Sequence, residues 1–299
     1  MGTDGLATVL RVGRLTAEGF DPLLDHGGPI ARTRSVSEFG TPCRLEAGIP
    51  AEANVTSVRN APPLFGLGLI DTVPEAAILR GAISRGDGVR GTPNVVRGPD
   101  GRERVGRFGW KAATPSLETF VAEAFRNEHG ITSPLAPFDL QGVASDHGDR
   151  CAGESDEIED DGTMVHAVTA FVAALEAPRP VPPGSRGESI FRRIGCATCH
   201  TPALPSARGD IRLYSDLLLH DVGPALDDGV VQDHARGRDW RTTPLWGLSL
   251  RTRFLHDGRA RTLRAAILAH DGEAARAIER FRTLSSEELG HLMEFLGSL

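Results

Sequence analysis

Two cysteines and a histidine stand together in the run Cys196-Ala-Thr-Cys199-His200, and their spacing has a chemical use. Cys-x-x-Cys-His is the attachment motif of a c-type haem. Each thiol can add to one vinyl group of the porphyrin, and the histidine that follows can reach the iron as its proximal ligand. The motif therefore predicts one covalent haem c, held by Cys196 and Cys199 and ligated by His200.

Two other uses of a Cys-x-x-Cys pair fit this sequence less well. A structural zinc site would need a second Cys/Cys or His/His pair at short spacing, and none follows. A thioredoxin-like redox pair would stand between a strand and a helix of an α/β unit, and that pattern is missing. Haem attachment is the favoured interpretation.

The sixth ligand of the iron is not expected to be a methionine. The chain has only Met1, Met164 and Met293, and none lies between His200 and the last predicted helix. Met293 falls on the apolar face of that helix, where core packing is the expected role.

Histidines are the remaining candidates for this ligand. We discount His234, which lies in a polar stretch, and His291 stands among polar positions of the terminal helix and is predicted to be at the surface. Sequence chemistry alone leaves three candidates open, which are His220, His256 and His270.

Composition and patterning predict a mainly α protein rich in loops. The 35 glycines and 20 prolines suggest long loops and short helices. Residues 177–184 carry four prolines and are predicted to be a linker. Residues 185–299 would form a cytochrome c-like helical domain. Residues 1–176 would form an irregular, mostly helical scaffold without a haem of its own.

Four helices are expected from apolar spacing and end signals. The helix at Pro115–Phe125 would start after a Thr114 cap and bury a face of four apolar side chains. The terminal helix would start from the Ser285 cap and bury Met293 among other side chains. The two remaining helices cover 162–175 and 188–194. The four side chains expected to be buried in the helix at Pro115–Phe125 are Leu117, Phe120, Val121 and Phe125.

Charge and hydropathy exclude some classes of partner. The net charge of -7 and the absence of basic blocks argue against nucleic acid. No apolar run approaches the length of a transmembrane helix. A redox partner protein or a small oxidant is the expected partner. The start of the sequence carries no signal peptide. Covalent haem attachment, however, normally takes place outside the cytoplasm. We therefore expect a periplasmic protein whose start is truncated here.

Cys43 and Cys151 are the other two cysteines. In an oxidising compartment they could form a disulfide or remain two free thiols, and spacing alone does not decide between these. The acidic stretch 146–161 is predicted to be an exposed loop.

Several segments resemble a known family. Residues 254–270 (FLHDGRARTLRAAILAH) are similar to the haem-loop signature of bacterial di-haem cytochrome c peroxidases. Other segments resemble the di-haem oxidoreductase, or thiol-oxidoreductase-like, family more closely. They are 61–70 (APPLFGLGLI), 106–111 (GRFGWK), 214–223 (YSDLLLHDVG) and 240–247 (WRTTPLWG).

The resemblance implies roles for particular residues. In the peroxidases, the distal ligand of the electron-transfer haem is the residue 14 positions after the histidine of a His-x-Gly motif, and it is usually methionine. Counted from His256, this position is His270 in the present chain. The resemblance therefore implies that His200 and His270 both ligate the iron. His256, Asp257 and Arg259 would then support the ligands or face the haem propionates. Trp110 would lie on an electron path or simply pack in the core.

The resemblance also implies what this chain could do. The resemblance predicts that the chain transfers electrons as part of a di-haem, peroxidase-like oxidoreductase. The first haem motif of that family is not in this chain, and the catalytic residues are unknown. The alternative is a non-enzymatic mono-haem electron carrier or haem sensor. An Asp/Gly-rich calcium loop of the family is similar to 85–91, but only Asp87 offers a carboxylate there, so a glycine turn is expected instead of a calcium site.

Overall fold

The computed structural model describes residues 8–34, 47–138, 158–179 and 182–299. Within these ranges the chain forms eight α-helices and nine strands. The strands are β1 (Thr8–Thr16), β2 (Gly19–Asp21), β3 (Val55–Asn60), β4 (Val95–Arg97), β5 (Glu103–Val105), β6 (Leu204–Ser206), β7 (Gly209–Ile211), β8 (Leu219–Asp221) and β9 (Asp239–Arg241). The helices are α1 (Leu67–Asp71), α2 (Glu75–Gly81), α3 (Leu117–Ala124), α4 (Thr163–Ala174), α5 (Arg186–Arg193), α6 (Leu263–Leu268), α7 (Ala275–Arg282) and α8 (Ser286–Ser298).

The prediction of a mainly α fold is wrong. The described strands form several small antiparallel sheets, one of three strands in the order β2-β1-β3 and the others two-stranded. Even the part predicted to be a helical domain contains the β6-β7 and β8-β9 pairs. These strands are three residues long, so no alternation of apolar and polar residues can reveal them. Their pairing is set by turns and by packing instead.

The chain divides by contacts into two compact units, of which the smaller is built on the β2-β1-β3 sheet. It comprises Met1–Ala61, Glu118–Thr169 and Asp228–Val231. Arg59 on β3 is buried and makes an ion pair with Asp228 at 2.6 Å, and Ser57 also donates to that carboxylate. This ion pair joins the sheet to residues far along the chain.

The larger unit comprises Pro62–Leu117, Ala170–Asp227 and Gln232–Leu299. The predicted domain boundaries at 176 and 185 remain a prediction, and two residues of the linker, 180 and 181, lie outside the described ranges. The unit is organised around one apolar cluster, here called the C-terminal core. Its buried members are Ile190, Phe191, Ile194, Tyr214, Leu248, Phe281, Leu292, Phe295, Leu296 and Leu299.

Helices α5 and α8 cross closely in the C-terminal core. Gly187 on α5 lies so near α8 that an added Cβ would be 2.2 Å from the His291 carbonyl oxygen and 2.5 Å from Phe295 Cβ. Only glycine permits this approach. The crossing fixes the direction in which α5 leads into the Cys-x-x-Cys-His motif.

Three of the four predicted helices are found near their expected positions, as α4, α5 and α8. The predicted cap at Ser285 is confirmed as a full capping box with Glu288. Met293 packs against the C-terminal core, as predicted.

The fourth predicted helix, α3, begins two residues later than expected. The side chain of Thr114 forms no hydrogen bond to the helix start, and Asp71 Oδ1 instead accepts the backbone N–H of Leu117 at 3.0 Å. Leu117 and Val121 are buried as predicted, whereas Phe120 and Phe125 are only partly buried. None of the helices in the described ranges has the length and the apolar run that crossing a bilayer requires.

Candidate functional site

The Cys-x-x-Cys-His motif begins where α5 ends. Gly195 adopts φ 101°, a left-handed conformation that suits glycine, and terminates the helix. Cys196–Thr198 then form one 3-10 turn, and the His200 N–H donates to the Cys196 carbonyl at 2.9 Å. Both cysteines are free and partly buried. The local fold therefore holds the two thiols and the histidine on one short turn beside the C-terminal core.

His200 is oriented by a backbone carbonyl. Its Nδ1 lies 3.0 Å from the carbonyl oxygen of Tyr214, which leaves Nε2 as the nitrogen available to a metal. Tyr214 is itself buried and adopts an uncommon positive φ of 54°. Burial lowers the pKa of His200 to about 4, so the imidazole is neutral and able to ligate at neutral pH.

His270 is held in the same manner. It follows α6, which Thr262 caps by accepting the Ala265 N–H, and its Nδ1 lies 2.8 Å from the Ala266 carbonyl oxygen. Burial lowers the pKa of His270 as well. The imidazoles of His270 and His220 both contribute to the low pKa of His200, so both rings lie within electrostatic range of it. The rings of His200 and His270 retain partial exposure.

Apolar packing links the two histidine segments. Leu263, Ile267 and Leu268 of α6 pack against the C-terminal core, and Cys196 and Ala197 of the motif pack against it too. Thus the same apolar surface carries the predicted proximal and distal ligands.

His220 has a different environment. Its Nε2 lies 3.0 Å from Asp216 Oδ2 and its Nδ1 2.7 Å from Glu273 Oε2, while Cys199 Sγ is 3.5 Å from Nδ1. Burial lowers the pKa of His220, but the hydrogen bonds to Asp216, Cys199 and Glu273 together outweigh it and raise the pKa to about 12. Both ring nitrogens thus face carboxylates and neither is directed to an open position.

His256 stacks on Trp240. The ring centroids are 3.9 Å apart and the planes differ by 11°. Trp110 meets Trp240 edge-on at 6.4 Å. Arg259 is half exposed and makes an ion pair with Asp257. The supporting roles predicted for His256, Asp257 and Arg259, and the electron path through Trp110, remain predictions.

The remaining sequence candidates lie elsewhere or outside the described residues. His234 is exposed, and His291 is partly exposed near Glu287 and Glu294. Asp87 lies in a 3-10 turn and makes an ion pair with Arg280 at 2.6 Å. Among the described residues no cluster of three or more His, Cys, Asp or Glu side chains could hold a metal ion. Cys43, Cys151 and most of the acidic stretch 146–161 lie outside those residues.

Sequence reasoning missed Lys111, the single lysine of the chain. It is fully buried, and its ammonium lies 3.9 Å from the Trp240 ring centroid. Nζ donates to three backbone carbonyls, those of Arg236, Gly237 and Asp239. Composition could have drawn attention to this residue, because it is the one lysine in a chain that otherwise uses arginine. A compact ammonium with three donors suits three converging carbonyls.

The donor set at the motif fits a c-type haem better than a thiol site. Burial, with a smaller effect of Cys199, raises the pKa of the Cys196 thiol to about 12. A reactive redox cysteine needs the opposite shift, toward an accessible thiolate. Because both Nδ1 atoms bond carbonyls, the Nε2 atoms of His200 and His270 remain available to ligate a metal.

A comparison with known protein families identifies the family of this chain. Residues 49–299 match the sequence model of the family described as "Di-haem oxidoreductase, putative peroxidase". The match covers most of the chain, and the protein therefore belongs to this family. The family resemblance found in the sequence is confirmed. Membership carries a haem-dependent redox role and a haem cofactor.

Two solved structures are distantly similar. The first is Kuenenia stuttgartiensis hydrazine synthase pressurised with xenon, at 24% identity and a TM-score of 0.33, where the match covers 48% of this chain and 57% of that chain. The second is a MauG-like protein associated with microbial copper homeostasis, at 14% identity and a TM-score of 0.39, with 80% and 93% covered. No curated protein sequence matches the chain.

Proposed function

We propose that this chain is a c-type haem protein that transfers electrons within a di-haem, peroxidase-like oxidoreductase. One haem would be bound through Cys196 and Cys199, with His200 and His270 as its axial ligands. The observation that carries the proposal is the matched orientation of the two neighbouring imidazoles, each with Nδ1 on a backbone carbonyl. Family membership supports the haem.

The ligand pair determines the kind of chemistry. When bound, the haem supplies a reversible one-electron Fe(III)/Fe(II) couple. His200 and His270 would occupy both axial positions, so no position remains for peroxide. The absence of methionine favours a lower potential than that of His/Met cytochromes c. The chain would therefore relay electrons, and any peroxide reaction belongs to the other haem of the di-haem system.

His220 is less suited to be the distal ligand. Its two nitrogens bond Asp216 and Glu273, and both bonds would be lost or weakened if the ring turned to an iron. Leaving these carboxylates without a partner in a buried position is costly. His270 would lose nothing of this kind, since its Nε2 is not needed for its own hydrogen bond.

The place of action and the partners follow from the haem attachment. Because covalent attachment normally takes place outside the cytoplasm, we place the mature protein in the periplasm. Its partner would be a redox protein or a small oxidant.

Attachment can be tested with the full chain expressed alongside a c-type haem maturation system. Haem should stay with the polypeptide in a denaturing gel, and the pyridine haemochrome spectrum should correspond to two thioether links. The matched variants are Cys196→Ala with one link and Cys196→Ala/Cys199→Ala with none.

Two outcomes would contradict or redirect the proposal. Haem that remains covalently bound in the double variant would exclude Cys196 and Cys199 as its points of attachment. A wild-type chain that takes up no haem would exclude a haem site altogether. A loaded chain that exchanges electrons but never couples to a second haem would favour the mono-haem carrier or sensor.

A further inference from the structure

Arg241 is buried and Arg251 is partly buried, and among the described residues neither has an acidic partner. In the described part of the chain neither of them makes an ion pair or a hydrogen bond with a carboxylate. Arg241 Nε donates to the Gly109 carbonyl at 2.9 Å, and Arg251 Nη2 donates to the Pro244 carbonyl at 3.0 Å. Arg241 Nη1 and Arg251 Nε are buried with no hydrogen-bond partner.

The two guanidinium groups are also close enough to repel each other. Burial, with a smaller effect of the Arg251 charge, lowers the pKa of Arg241 to about 10. Burial lowers the pKa of Arg251 to about 10 as well. Two like charges with unsatisfied donors in one buried place are unfavourable unless an anion compensates them.

The other buried arginines among the described residues, Arg59 and Arg107, do not share this property. Arg59 has Asp228 at 2.6 Å, and Arg107 interacts electrostatically with Asp71 and Glu75. Among the described residues, the lack of a carboxylate partner therefore sets Arg241 and Arg251 apart. A bound anionic ligand would supply the counter-ion that these residues do not.

The pair belongs to the segment that flanks the haem motif. Leu245 N–H donates to the Leu213 carbonyl, next to Tyr214, whose own carbonyl accepts from His200. Leu245, Leu248 and Phe254, on either side of Arg251, pack against the C-terminal core together with Cys196. The segment around Arg251 thus packs on the same apolar core as the motif.

We propose that Arg241 and Arg251 bind the two propionate carboxylates of the haem held at Cys196 and Cys199. The inference rests on the proposed haem site. A porphyrin of this type carries its propionates on the edge opposite to the vinyl groups that react with cysteines. Neither arginine belongs to the Cys-x-x-Cys-His motif, whose cysteines would hold the vinyl edge. Arginine suits the role because its planar fork can bond a carboxylate with two donors.

This assignment differs from the one that the sequence suggests, in which Arg259 faces the propionates. Arg259 is half exposed and already bonds Asp257 and the Ala225 carbonyl. The charge of Arg259 is already compensated by Asp257 and hydrated. A propionate would therefore stabilise Arg259 less than it would stabilise Arg241 and Arg251.

Thermal unfolding of loaded and haem-free chains tests the proposal. The haem-free form is the full chain carrying Cys196→Ala/Cys199→Ala. Arg241→Met and Arg251→Met should each lower the unfolding midpoint of the loaded chain by roughly 5 °C more than that of the haem-free chain. Removing a charge that lacks a counter-ion should cost the haem-free chain little or even stabilise it. Arg59→Met is the matched control and should lower both midpoints alike, because its counter-ion is Asp228.

The reduction potential gives a second measurement that does not depend on haem-free folding. Arg251→Gln should lower the haem midpoint potential, because a nearby positive charge favours the ferrous state. The potential should also become pH-dependent as the released propionate titrates. Arg251→Lys, which keeps the charge, should remain near the wild type.

Two results would overturn the assignment. One is an equal loss of stability in the loaded and haem-free chains for both methionine variants. The other is an unchanged potential in Arg241→Gln and Arg251→Gln. Failure of the wild-type chain to bind haem covalently would instead reject the haem site itself, so the two failures are distinguishable.

Discussion

His200 and His270 are oriented in the same way, with Nδ1 of each ring on a backbone carbonyl, 3.0 Å away for His200 and 2.8 Å for His270. One carbonyl belongs to a strained residue, Tyr214, and the other to the last turn of α6. Two unrelated local structures thus direct the same nitrogen outward on two neighbouring rings. Such a repeated arrangement fixes both the tautomer and the ring orientation before any metal binds.

The buried His220 should make stability depend on pH. Its folded-state pKa, raised to about 12, lies above that of an unfolded histidine. The stabilisation is therefore complete below about pH 6.5 and is lost as pH rises toward 12. The wild type should therefore lose unfolding free energy relative to His220→Gln as the pH rises from 7 to 10. The loss should be on the order of 1 kcal/mol per pH unit at most. Urea unfolding at several pH values measures it.

A matched control for this titration is His234→Gln, since His234 is exposed. That variant should follow the wild-type pH profile. A difference between wild type and His220→Gln that stays constant from pH 7 to pH 10 would show that the ring is not a buried imidazolium between Asp216 and Glu273.

Gly187 should not tolerate a side chain. Alanine there would bring Cβ within 2.2 Å of the His291 carbonyl oxygen and force α5 away from α8. Overpacking of this kind costs about 3 kcal/mol. Gly290→Ala on α8 is the control, because an added Cβ there meets nothing within 4 Å. It should stabilise the protein by up to about 1 kcal/mol. Equal stability of the two variants would contradict the close crossing.

The capping box of α8 should contribute measurably to stability. The Ser285 side chain accepts the Glu288 N–H, and the Glu288 carboxylate accepts the Ser285 N–H in return. Ser285→Ala should destabilise by about 1 kcal/mol in chemical unfolding. Ser286→Ala, one residue further and exposed, should change stability by less than about 0.5 kcal/mol. Similar losses in both variants would argue against the cap.

Lys111 should resist even a conservative change. Its ammonium fits among three carbonyls over Trp240 with no exposed surface, so a guanidinium would overpack the site. Lys111→Arg should therefore cost about 2–3 kcal/mol. The exposed Arg104→Lys is the reverse control and should be nearly neutral. A neutral Lys111→Arg would mean that this pocket is wider than the structure shows.

The sequence was most informative where chemistry is local. The motif at Cys196, the Ser285 cap and the packing of Met293 all follow from spacing within a few residues. The family resemblance was also visible in short segments. These features depend on contacts between near neighbours in the chain, which a sequence displays directly.

The sequence failed where contacts are distant. The three-residue strands β8 and β9 pair across 17 intervening residues, and no periodicity can predict them. The cap of α3 comes from Asp71, 46 residues away from Leu117. One of the carboxylates that bond His220 is likewise distant along the chain, since Glu273 is 53 residues away. That Arg241 and Arg251 have no carboxylate partner among the described residues is evident only in the folded chain.

The spectrum of His270→Ala in the haem-loaded full chain tests the proposed ligation most directly. Electron paramagnetic resonance and visible absorption should show a six-coordinate low-spin iron in the wild type and in His220→Gln. The His270→Ala variant should shift to high spin, and added imidazole should restore the low-spin spectrum. A His270→Ala protein that keeps the wild-type six-coordinate low-spin spectrum would contradict bis-histidine ligation by His200 and His270.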